Sequence, residues 1–217
     1  SADVSGAQEE RVARARAMVT ESKVLLMDEP LSNLDARLRE QMRVELRKIT
    51  KSIGVTTLYV THDQAEALSL GDKVCVMNYG EILQIASPHE VYAKPANLFV
   101  AQFVGEMNFV KGAVTGPGKI ESPLGVIAGP IPQGVNTGAQ VTLAIRPEHV
   151  EVSPIGNHGP AATTGKVTSR NYLGDAALLE VEINGVTLLA KLAGDTALNV
   201  GENAAVELPA DRWHIFP

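Results

Sequence analysis

Two adjacent carboxylates, Asp28 and Glu29, close the apolar run Val24-Leu25-Leu26-Met27 and are followed by Pro30. Such a run predicts a strand, and acids at its end lie on the C-terminal edge of an open α/β sheet, where ligands gather. Neighbouring residues at a strand end point different ways, so the two acids suit different tasks. Asp28 is suited to hold Mg2+, directly or through water, because Mg2+ takes one or two carboxylates and leaves its other positions to phosphate oxygens and water. Glu29 is suited to polarise a water that attacks a γ-phosphate. The plainer alternative is that the pair caps a following helix.

Three further clusters carry polar chemistry. Val4-Ser5-Gly6-Ala7-Gln8 precedes a helix-forming stretch from Glu9, so its backbone N–H groups, a hydroxyl and the helix dipole together suit a phosphate. Ser5 also reads as an ordinary N-cap. Ser32-Asn33-Leu34-Asp35 follows the acidic pair within one short loop, and Asp35 stands where a helix cap is needed. His62 follows the β-branched run Val55 to Thr61, where one ring nitrogen can donate to a phosphate oxygen. A structural, hydrogen-bonded histidine is the alternative.

The elements that must position these residues alternate in type. Arg11 to Met18 predicts a helix, Val24 to Met27 a buried parallel strand, and Leu38, Met42, Leu46 and Ile49 recur at helical spacing. Val55 to Thr61 predicts a strand, and Asp63 caps a short helix over Gln64 to Leu70. Lys73 to Asn78 and Glu81 to Ile85 flank the tight turn Tyr79-Gly80, and Ser87 to Gly105 predicts a helical connector. Strands alternating with helices imply a largely parallel sheet covered on both faces.

Composition changes near Gly105. Residues 1–105 hold 5 of the 19 glycines and 3 of the 12 prolines. The remainder carries short apolar runs broken by Gly and Pro, among them Val141 to Ile145, Ala176 to Ile183 and Val186 to Leu192, the last two joined by Asn184-Gly185. That dipeptide between alternating runs predicts a hairpin, and the second half reads as an all-β barrel or sandwich. The expected domains are therefore 1–105 and 106–217.

Whole-chain properties exclude some classes. A net charge of −6 argues against a nucleic-acid binder, which needs a basic footprint. No apolar stretch is long enough to span a bilayer, and no secretory leader pattern is present. The single cysteine, Cys75, lies in an apolar run and is expected to be a buried thiol in a reducing compartment.

Taken together, the four clusters resemble the ATP-binding subunits of ABC transporters, in order and in separation. Val4-Ser5-Gly6-Ala7-Gln8 resembles the signature motif, and Leu25-Leu26-Met27-Asp28-Glu29-Pro30 the Walker B strand with its catalytic Glu. Ser32-Asn33-Leu34-Asp35 resembles the D-loop, and Tyr59-Val60-Thr61-His62-Asp63 the switch histidine segment. The resemblance implies a catalytic Glu29 and His62, with Asp28 on Mg2+, serving the ATP of their own subunit. It implies that Ser5, Gly6, Ala7 and Gln8 complete the ATP site of a partner subunit, with Asp35 communicating across the interface of a head-to-tail dimer. Val4 and Ala7 depart from the usual Leu-Ser-Gly-Gly-Gln. No Gly-x-x-x-x-Gly-Lys-Ser/Thr loop occurs, nor a glutamine loop ahead of the signature. The chain is therefore expected to be a fragment, inactive alone, with apolar sheet surface left exposed.

Ala144-Ile145-Arg146-Pro147-Glu148-His149, Asn171-Tyr172-Leu173-Gly174-Asp175 and Trp213-His214-Ile215-Phe216 resemble the TOBE domain, an OB-like β-fold attached to importer ATPases. The expected fold class is thus α/β, part of a P-loop ABC cassette, followed by an all-β domain. The family implies a cytoplasmic ATPase, peripheral on the inner face of the membrane. Its partners would be a second ATPase subunit, transmembrane permease subunits and, indirectly, a solute-binding protein. The solute classes suggested are polyamine, ferric ion or sugar. The competing reading is a non-enzymatic dimerisation or regulatory module.

Overall fold

A computed structural model describes residues 23–156, 159 and 162–217. The chain divides into two units, residues 1–96 and 97–217, so the boundary falls ahead of the composition change at Gly105.

In the first unit, strand β1 (Val24–Asp28) leads through helix α1 (Ala36–Ile53) to strand β2 (Thr56–Val60). The two strands pair in parallel, Val24 opposite Thr56 and Asp28 opposite Val60. Asp35 accepts a hydrogen bond from Leu38 N–H and starts α1; Gly54, in the left-handed conformation at φ 70°, ends it. Leu25, Met27 and Leu46 form the core between sheet and helix, with Val55, Tyr59 and Leu70 packed against them.

The expectation of a strand buried on both faces needs correcting. Leu25 and Met27 point inward, but Leu26 is 71% exposed, and Val24, Leu58 and Val60 are exposed with it. One face of the two-stranded sheet therefore meets no described element.

Helix α2 (Gln64–Leu70) is capped by Asp63, whose carboxylate accepts from Glu66 N–H. Strands β3 (Val74–Asn78) and β4 (Glu81–Ala86) form an antiparallel hairpin, turned by Tyr79 and Gly80, both at positive φ. Cys75 is exposed, against expectation. The strand alternates, and Val76 rather than Cys75 occupies the inward position. Helix α3 (Pro88–Ala93) opens on a capping box between Ser87 and Glu90, with Pro88 in its first turn.

The second unit begins with helix α4 (Leu98–Phe103), so the expected connector is two short helices that fall on either side of the division. Among the described residues ten strands follow: β5 (Asn108–Gly116), β6 (Lys119–Ser122), β7 (Gly125–Ala128), β8 (Gln140–Ile145), β9 (Glu151–Pro154), β10 (Thr163–Tyr172), β11 (Ala176–Ile183), β12 (Val186–Ala193), β13 (Asn203–Glu207) and β14 (His214–Phe216). They form two antiparallel five-stranded sheets, ordered β12-β11-β10-β13-β9 and β14-β8-β5-β6-β7. Val110, Ile120, Leu143 and Ile145 from one sheet and Val167, Leu179, Val181 and Leu188 from the other share one buried core. Asn184 and Gly185, both at positive φ, turn the β11–β12 hairpin.

A polar side chain stitches this unit. Asn108 of β5 is buried and exchanges a pair of hydrogen bonds with the backbone of Leu189 in β12, donating Nδ2–H to its carbonyl at 2.8 Å and accepting its N–H at 2.7 Å. An amide side chain thus takes the place of a neighbouring strand along the free edge of β12. Gly165 permits close packing nearby: a Cβ there would lie 2.5 Å from Val181 Cγ1.

Candidate active site

The first unit gathers its polar residues just beyond the ends of β1 and β2. Glu29 leaves β1 at φ 42° and donates its N–H to Val60 O at 2.8 Å, extending the parallel pairing by one residue. Its carbonyl accepts from both the N–H and the hydroxyl of Ser32, at 3.2 and 2.9 Å. This tight turn, anchored by buried Leu31 and Leu34, delivers the chain to Asp35 at the start of α1.

His62 stands two residues beyond Val60, and its Nδ1 lies 2.8 Å from Glu29 Oε1. With Nδ1 protonated, its N–H donates to the carboxylate. That hydrogen bond, then the Glu29 charge, raises the histidine's pKa above its ordinary value of 6.5, with smaller contributions from Asp63 and Glu66. Both side chains remain open to solvent, so a third group can reach them. Asp28 is exposed, and its carboxylate enters no hydrogen bond or ion pair with another described residue. No cluster of three or more potential metal-ligating side chains exists among the described residues. A lone free carboxylate fits Mg2+ brought with a polyphosphate, whose oxygens and waters fill the other positions.

The structure therefore brings Asp28, Glu29 and His62 to one sheet edge. Asp35 sits at the far end of the same turn with one carboxylate oxygen engaged as a helix cap. Ser5, Gly6, Ala7 and Gln8 lie outside the described residues.

Two residues at this edge were not singled out from sequence. Arg39, one turn into α1, donates to Leu34 O at 2.9 Å and lies 3.6 Å from the Asp63 carboxylate, bracing the loop after β1 against the segment after β2. Glu66 is buried, and its carboxylate accepts from Tyr59 OH and Thr61 Oγ1. The signal for Glu66 was legible: an acid three residues after the cap Asp63 has capping-box spacing. Its side chain turns to the strand hydroxyls instead.

In the second unit, Arg146 is 1% exposed, and its Nη1 donates to Val104 O at 2.9 Å and Glu106 O at 3.1 Å. Pro147 then begins a short 3-10 turn, Pro147–His149. His214, half buried opposite Ala144, has its pKa lowered by burial, with Arg146 and His149 adding to the effect. The Arg-Pro-Glu segment thus pins the loop that enters β5.

Comparisons with known proteins place the chain among named relatives. Residues 143–216 match the family model of the TOBE domain. The chain is 42% identical over 202 residues to the spermidine/putrescine import ATP-binding protein PotA of Nitrosomonas europaea, covering 89% of this chain and 56% of that protein. It is 39% identical over 232 residues to the trehalose/maltose import ATP-binding protein MalK of Thermococcus litoralis, covering 99% and 60%. It is 40% identical over 217 residues to the sn-glycerol-3-phosphate import ATP-binding protein UgpC of Chromohalobacter salexigens, covering 98% and 58%. The chain spans less than two thirds of the length of each of these relatives.

Proposed function

The chain belongs to the ATP-binding subunits of ABC importers that carry a TOBE domain, and from that premise we propose that it supplies the water-activating half of an ATP-hydrolysing site coupled to solute uptake. The observation that carries this reading is the Glu29–His62 pair, 2.8 Å apart and open to solvent beside the free carboxylate of Asp28. Glu29 orients and deprotonates the attacking water. His62 donates a hydrogen bond to the γ-phosphate, exchanging its present acceptor, Glu29, for a phosphate oxygen. Asp28 would hold Mg2+, which would offset charge on the phosphates.

Ser5, Gly6, Ala7 and Gln8 serve the nucleotide of a partner subunit in a head-to-tail dimer, and Asp35 meets that partner at the shared interface. Nucleotide-driven closure of the dimer moves the transmembrane permease subunits, to which a solute-binding protein delivers polyamine, ferric ion or sugar. The subunit works on the cytoplasmic face of the membrane. Among the described residues no helix is long and apolar enough to cross it.

The test is ATP hydrolysis by the full-length gene product with its permease in liposomes. Removing the base by Glu29→Gln is expected to lower kcat by about 10²–10⁴-fold while nucleotide still binds. Uptake of spermidine, ferric ion and maltose then separates the solute classes. Hydrolysis that survives Glu29→Gln at the wild-type rate refutes the assignment of the base.

A further inference from the structure

Glu66 is 2% exposed, and no ion pair to it forms among the described residues. Burying a carboxylate is costly unless hydrogen bonds replace its water. Here Oε2 accepts from Tyr59 OH at 2.8 Å and Thr61 Oγ1 at 2.9 Å. The Thr61 hydroxyl in turn accepts Asp63 N–H at 3.0 Å, and Asp63 Oδ1 accepts Glu66 N–H at 3.1 Å. These bonds close a ring through Thr61, Asp63 and Glu66 around the turn between β2 and α2. His62 lies inside that stretch of chain, but its imidazole faces Glu29 instead.

Helix capping does not require this carboxylate, because Asp63 already caps α2. We propose that Glu66 is a positioning residue of the hydrolytic site. It locks the turn to the end of β2 and so fixes the direction in which His62 is presented. The inference rests on the reading of Glu29 and His62 as the hydrolytic pair. The Glu66 carboxylate contacts Tyr59 and Thr61 and acts on the site through His62.

The experiment is a mutant cycle in the full-length subunit with its permease, following kcat and KM for ATP. Glu66→Gln keeps the side chain's size and puts an amide where two hydroxyls address a carboxyl group. Its kcat is expected to fall about 10–100-fold, the cost of misplacing a catalytic group by about 1 Å, at unchanged KM. In a His62→Ala background the same substitution should cost nothing further, because the residue it positions is gone. Tyr59→Phe, which removes one donor and preserves the ring, is expected to lower kcat in the same direction and serves if Glu66→Gln does not fold. Equal losses in both backgrounds would mean a general structural role and overturn the proposal. So would wild-type kcat in Glu66→Gln beside an impaired His62→Ala. Wild-type hydrolysis by His62→Ala itself would instead overturn the hydrolytic reading, and the positioning role with it.

Discussion

Removing the Asn108 side chain should loosen the second unit by an amount that the structure fixes. Asn108→Ala strips the hydrogen-bond partners from both the N–H and the carbonyl of Leu189. An abandoned backbone group costs about 1–3 kcal/mol when fully buried. Leu189 is half buried on the outer strand of its sheet, which places each group near the low end. The total is then about 2–3 kcal/mol, or a urea midpoint lower by about 1–2 M at a slope of about 1.5 kcal/mol/M. The only tryptophan, Trp213, is buried in this unit, so its fluorescence follows the transition. Asn108→Asp sharpens the test. One carboxylate oxygen still accepts from Leu189 N–H, but the other opposes the Leu189 carbonyl. Burial raises the pKa of the introduced carboxyl, so the folded state takes up its proton first and the variant regains stability as pH falls. A wild-type midpoint for Asn108→Ala refutes the reasoning, as does an Asn108→Asp variant that shows no gain relative to wild type on acidification.

Two further outcomes are expected. Glu29→Gln should return the His62 pKa toward its ordinary value of 6.5, read by the NMR shifts of the ring protons. In the wild type the folded pKa lies above the unfolded one, so the pair's contribution to stability is full below about pH 6.5 and lost as pH rises through the raised value. A titration unmoved by Glu29→Gln removes Glu29 as the cause. Gly165→Ala places a methyl 2.5 Å from Val181 Cγ1 and 3.0 Å from Ile183 Cγ1 and should cost about 1–3 kcal/mol. Trimming the neighbour with Val181→Ala should make that penalty smaller, and a strictly additive double variant argues against the clash.

Much of the architecture was legible because it is written in local chemistry. Asn184-Gly185 adopts the positive-φ turn that its types favour, Gly80 supplies the freedom for the turn it shares with Tyr79, and Asp35 and Asp63 cap the helices that follow them. Asp28, Glu29 and His62 could be grouped because a parallel β1–β2 pair ends where all three begin. What sequence hid were choices of direction. Cys75 sits in an apolar run, yet the pleat sends Val76 inward, and composition does not reveal the phase of an alternation. Glu66 has the spacing of a capping-box acid, but hydroxyls 7 residues earlier on β2 and 5 residues earlier just past its end compete for it. Asn108 reaches a partner 81 residues away, a pairing that no local pattern encodes.

The same long reach governs how the second unit comes into being. Strand β8 lies between β5 and β14, and its partner on the β14 side, His214–Phe216, pairs back to Thr142–Ala144. During synthesis, β8 must wait for the whole of the β10–β13 sheet to be made before that neighbour exists. Closure of such distant contacts costs chain entropy before any contact rewards it, which slows folding. The first unit, whose β1-α1-β2 segment closes over short spans, acquires its shape earlier. Ribosome-bound chains stopped ahead of Trp213 should therefore carry a formed β1-α1-β2 segment and a β-unit still open to proteases along β8.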